Sequence, residues 1–140
     1  MHLFGFLPPL VVRLLFGGYW IVLMTLIHYP IDVQERGDPT SSDKLVHVFG
    51  YGLLAWLAAM VVDSFSRGRS VFAGAHGWKW AVVLIAAVTL HGLVDEFTQP
   101  LTNRDCDPWD AAADVLGATL AVCIYVRLVR SAHFTAHGAA

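Results

Sequence analysis

Apolar residues in this chain do not alternate with polar ones. They run in four long stretches, over about residues 10–29, 45–62, 78–97 and 109–129, with polar connections between them. Each stretch approaches the roughly 20 residues a helix needs to cross a bilayer. Pro30 closes the first stretch and Pro100 follows the third, where a helix is expected to stop. Pro108 suits the first turn of the fourth helix, with Asp107 as its N-cap. Ser42 suits the N-cap of the second, and Asp43 in the following turn complements the helix dipole. The pattern predicts an all-α fold, a four-helix transmembrane bundle forming a single domain over 1–140. No internal repeat interrupts it. The first stretch lacks a basic leader and a small-x-small cleavage site, so it reads as a retained span.

Composition agrees with a lipid solvent. Hydrophobic residues make up 56% of the chain and charged residues only 14%, against roughly a quarter charged in soluble domains. The net charge of −2 carries no nucleic-acid footprint. Cys106 and Cys123 would lie about 25 Å apart along one helix, too far to pair. Cys123 is expected to be a small apolar filler. With no disulfide framework, the cysteines do not reveal the compartment.

Charge then orients the bundle. With the N-terminus in the cytoplasm, Arg13, Arg67, Arg69, Lys79, Arg127 and Arg130 lie near the inner face, and only Arg36, Lys44 and Arg104 lie outside. That imbalance predicts N-in and C-in. Trp78 and Trp80 then mark the inner interface and Trp109 the outer. All the acidic residues except Asp63 fall on the outer side. The buried polar groups are therefore expected at the extracytoplasmic ends of helices 2, 3 and 4.

Three segments carry that polarity. In SSDKLVHVFGYG (41–52), Lys44, His47 and Tyr51 share a helix face through their spacing of three and four. A snorkelling Lys44 and a belt Tyr51 are the plainer alternatives. In HGLVDEFTQP (91–100), His91, Asp95 and Gln99 continue one face, and Glu96 stands about 100° around it. Carboxylates at a helix C-terminus oppose the dipole, so stability alone does not explain Asp95 and Glu96. In NRDCDPWDAAADVLGA (103–118), Asp110, Asp114 and Gly117 fall on one stripe, and Arg104 is the loop's only basic residue. Charges inside spans are costly and normally mark a site. Helix 1 offers Gly17 and Gly18, expected to pack closely, and His28, read as interfacial. His2, His76, His133 and His137 are read as solvated flanks.

Together the segments resemble the VanZ-like family of membrane proteins. The matching elements are SDKLVHVFGYGLL, HGLVDEFTQP, and Arg104 followed by D-x-x-x-D-x-x-G from Asp110 to Gly117, covering about residues 42–121. Asp114 stands where the family usually has Asn, and Ala121 where it has a second glycine. The resemblance implies a helical membrane protein of the bacterial cytoplasmic membrane with a link to the cell envelope. The family's namesake is associated with low-level teicoplanin resistance. No settled activity comes with it.

Three functions are consistent with these residues. The first is a hydrolase or group-transfer enzyme acting on a membrane lipid or lipid-linked envelope component. His47 or His91 would be its general base, positioned by Asp95 or Asp114, with Glu96 in the same reactive set. Lys44 and Arg104 would hold an anionic head group, and Tyr51, Gln99 and Asp110 would complete the binding set. The second is a membrane protein binding a glycopeptide or cationic antibiotic. The third is a scaffold whose polar cluster only joins helices. No cofactor is expected, with a divalent metal on His47, His91, Asp95, Glu96 and Asp114 as the alternative. The oligomeric state is open.

Overall fold

The structure, a computed structural model, describes residues 7–29, 41–66, 70–102 and 106–138. Its elements are α1 (Pro9–Ile27), α2 (Ser41–Ser64), α3 (Gly77–Thr98), a 3₁₀ turn (Gln99–Thr102) and α4 (Pro108–Gly138). All regular structure among the described residues is helical, and four helices are long and apolar enough to cross a membrane. Expected and observed ends agree within a few residues, except that α4 runs on to Gly138 instead of stopping near 129. Hydropathy marks the lipid-crossing length. The helix itself continues through Arg130, Ser131 and His133, where no Gly or Pro breaks it.

The helices alternate in direction. Arg13 near the start of α1 reaches Ser64 at the end of α2 (3.4 Å) and stacks 4.0 Å over the Phe65 ring. His28, just past α1, meets Thr98 at the end of α3 (2.9 Å). Lys44 of α2 meets Asp107 and Asp110 at the start of α4. One end of the bundle is thus the Lys44 end, and the other is the Asp63 end.

α4 packs mainly on α2 and α3, while α1 lies against α2 at the outside. The core is built from Tyr51, Leu54, Ala55, Ala59, Ala118, Val122 and Tyr125. Between helices in lipid, close contact comes from small residues that let backbones approach. A Cβ on Gly117 would overlap the Val48 carbonyl, and one on Gly52 would stand 3.3 Å from the Gly117 carbonyl. The α2–α4 crossing therefore requires glycine at 117. Gly17 and Gly18 do not pack closely as expected, since no atom lies within 4 Å of a Cβ built on either. The α1–α2 contact uses Gly50 instead, whose carbonyl accepts the Tyr19 hydroxyl at 2.9 Å. Cys123 is exposed on the bundle's outer surface and fills no gap in the core. Leu14, Leu53, Val83, Leu116 and Ile124 also face outward, a surface suited to lipid.

Not every buried polar group lies at one end. Asp63, only 3% exposed, anchors the α2–α3 connection. Its Oδ1 accepts the Ser70 hydroxyl (2.7 Å) and the Val71 N–H (3.0 Å), and its Oδ2 accepts the Tyr125 hydroxyl (3.0 Å). Arg130 then ties α4 to the same loop by donating to the Phe72 carbonyl (3.2 Å). The expectation failed because hydropathy counts where acids fall and cannot see that a loop folds back to pair one.

Candidate functional site

At the Lys44 end, side chains from α2, α3 and α4 stack in three levels. The outermost is ionic. Lys44 Nζ lies 2.7 Å from Asp107 Oδ2 and 2.5 Å from Asp110 Oδ1. Asp107 also caps α4 as expected, its Oδ1 accepting the Trp109 N–H at 2.8 Å. The Lys44 ammonium and that N–H hold the Asp107 carboxyl below the usual aspartate range. Lys44 is only half-buried, so the snorkelling alternative describes its stem, while its head group is fixed between two carboxylates.

One turn deeper, His47 of α2, Glu96 of α3 and Asp114 of α4 converge, all buried. His47 Nδ1 stands 3.0 Å from Asp114 Oδ1, and its Nε2 lies 3.7 Å from Asp110 Oδ2. A donating Nδ1–H fits the first contact and leaves Nε2 facing the mouth. Gln99 donates to Glu96 Oε1 (2.7 Å) and the Asp107 N–H to Glu96 Oε2 (3.0 Å). Gln99 continues the helical path at the end of α3, so it stands three residues on from Glu96 on a neighbouring position of the same surface. Asp114 Oδ2 is buried and has no hydrogen-bond partner among the described residues. It points at α3 where Gly92 leaves room, since a Cβ there would stand 3.1 Å from it. His47, Glu96 and Asp114 each offer one ligand atom, all within 4.8 Å of one another.

The innermost level joins Tyr51, Asp95 and His91. Tyr51 is wholly buried, which excludes a place in an interfacial belt, and its hydroxyl donates to Asp95 Oδ2. His91 Nδ1 lies 3.3 Å from the same oxygen. Trp20 Nε1 donates to His91 Nε2 at 2.6 Å. An accepting Nε2 places the ring proton on Nδ1, facing Asp95. The basic lone pair of His91 is therefore occupied by the Trp20 N–H.

Nine of the ten expected site residues meet in these levels: Lys44, His47, Tyr51, His91, Asp95, Glu96, Gln99, Asp110 and Asp114. Arg104 lies outside the described residues. Gln99 was expected against a substrate, but its amide is used to orient Glu96. Two contributors had no motif to flag them. Gly92 makes space for Asp114, and Trp20 makes α1 part of the cluster where a packing role was expected. A depth count would have found Trp20. It precedes His28 by eight residues as His91 precedes Thr98 by seven, and the two helices end side by side.

No family model, curated protein or solved structure matches the chain.

Proposed function

We propose that this chain is a VanZ-like protein of the bacterial cytoplasmic membrane. In this reading it is an N-in, C-in envelope hydrolase or group-transfer enzyme acting at the outer leaflet on a lipid or lipid-linked component. The observation that carries it is the meeting of His47, Glu96 and Asp114 from three helices, buried one turn beneath the Lys44 ammonium. Such a cluster is a poor way to hold helices together, because interhelical hydrogen bonds in membranes average only about 0.6 kcal/mol.

The roles follow from position. Lys44, and Arg104 from its loop, pair with an anionic head group arriving from the membrane surface. The His47–Asp114–Glu96 cluster activates the attacking water or hydroxyl. The acceptor side of Glu96 is set by Gln99 and the Asp107 N–H. Tyr51, Asp95 and His91 form the floor of the site. The sequence offers no Ser or Cys with an evident activating partner, which favours attack by water or a substrate hydroxyl over a Ser-type covalent intermediate.

The test is turnover of phosphate-bearing and lipid-linked head groups by the full chain in proteoliposomes. His47→Ala and Glu96→Gln should leave the helical fold intact and lower turnover at least about 100-fold. Undiminished turnover in both variants would sink the reading.

The carboxylate-rich mouth favours a second reading. Asp107 and Asp110 outnumber Lys44 there, which suits capture of a cationic or glycopeptide ligand such as teicoplanin and low-level resistance. Binding that survives loss of both His47 and His91 would favour it over the enzyme.

A further inference from the structure

We infer that the buried triplet His47, Glu96 and Asp114 holds a divalent cation, with zinc the best match to its ligands. The inference rests on reading this cluster as the reactive site and specifies how the nucleophile is activated there.

The first observation is the donor set. One imidazole nitrogen and two carboxylate oxygens are borderline and hard ligands, a combination that suits zinc and neighbouring divalent ions. The three come from α2, α3 and α4, so the ion would be gripped by the fold and not by one flexible segment. Ligand atoms around such an ion sit about 2.1 Å from it, hence about 3.4 Å from one another in a tetrahedral site. The separations here are within 4.8 Å, so an inward shift of up to about 0.8 Å by each side chain closes the site.

The second observation is independent of that spacing. Asp114 is 1% exposed, and its Oδ2 has no partner among the described residues. Ionised, this oxygen would be an unsatisfied acceptor; protonated, it would be an unsatisfied donor. Neither form is completed by the described residues, whereas a cation beside it completes the ionised one. Gly92 keeps that oxygen's side of α3 clear.

The surroundings support ligation. Ligands of a bound metal are usually held by hydrogen bonds of their own. Glu96 has them on both oxygens, from Gln99 and the Asp107 N–H. Asp110 Oδ2 lies 3.7 Å from His47 Nε2 and can settle the ring's second nitrogen. Three protein ligands leave a fourth position for water, the usual form of a catalytic site, and the bound water's proton becomes easier to remove. In that state His47 acts as ligand, and the ion supplies the acidification.

The deciding experiment uses the full chain, purified in detergent without added metal and then equilibrated with zinc against a chromophoric chelator. Elemental analysis reads the metal content, and thermal unfolding with and without zinc reads the folded state. The expected result is about one zinc per chain and a higher melting temperature on loading. His47→Ala, Glu96→Gln and Asp114→Asn should each weaken zinc at least about 100-fold. Asp114→Asn keeps side-chain shape, so its fold is the check against a merely unfolded variant. A folded wild-type chain that binds no divalent ion, or equal binding in all three variants, overturns the inference. Turnover that persists in metal-free protein and still needs His47 overturns the ion and leaves the proposed reaction standing. Stoichiometric zinc with no turnover of any head group keeps the ion and removes the reaction.

Discussion

Asp63 and Asp114 are both almost wholly buried, at opposite ends of the same bundle, and they are treated differently. Asp63 is 3% exposed, and donors that include Ser70, Val71 and Tyr125 satisfy both its oxygens. Asp114 is 1% exposed, and among the described residues only one of its oxygens has a partner. A buried carboxylate with every lone pair spoken for acts as a fastener: it pins a loop to two helices. One with an open oxygen beside a histidine and a second carboxylate is poised to hold something else. Burial alone does not distinguish structure from chemistry; the completeness of hydrogen bonding does.

The largest effect is expected at the crossing both ends depend on. Gly117→Ala drives a methyl into the Val48 carbonyl, and thermal unfolding in detergent should show a loss of about 3 kcal/mol or more. Next, Asp63→Ala orphans the Tyr125 and Ser70 hydroxyls and the Val71 N–H. It should cost about 2–4 kcal/mol while leaving zinc affinity unchanged. Asp114→Asn should do the reverse, changing stability by no more than about 1 kcal/mol and weakening zinc at least about 100-fold. If the two aspartate variants behave alike, the contrast drawn between the ends is wrong.

A smaller effect belongs to Trp20→Phe, which deletes the donor to His91 Nε2. About 1 kcal/mol of stability is expected to go, and the His91 tautomer, read by nitrogen-detected NMR, should lose its single form. The smallest lies at the mouth. The Asp107 carboxyl is held below its ordinary value by Lys44, so this pairing stabilises the fold above the unfolded value of about 3.9. That contribution is lost as pH falls through the lower folded value. The melting-temperature gap between wild type and Asp107→Asn should therefore be present at neutral pH and close in acid. Screening at this half-exposed site keeps it small.

Much of the molecule is legible in its amino-acid sequence. Four apolar stretches became four helices because a bilayer demands length and hydropathy, and both are local properties of a segment. The helix faces were readable too. Lys44, His47 and Tyr51 share a stripe, as do Asp110, Asp114 and Gly117, because helical period is a property of one segment. Even the Asp107 cap could be read from the proline after it.

Partnership between segments could not. That His47 meets Asp114 and that His91 is claimed by Trp20 both depend on how far one helix slides and rotates against another. Gly117 and Gly52 set that slide for α2 and α4 by backbone contact, and α1 packs through Gly50 instead of Gly17 and Gly18. Asp63 looked like a stray inner acid until the loop at Ser70 folded onto it. Helix formation is decided within a segment and pairing between segments, so the sequence names the chemical groups and the packing chooses which of them meet.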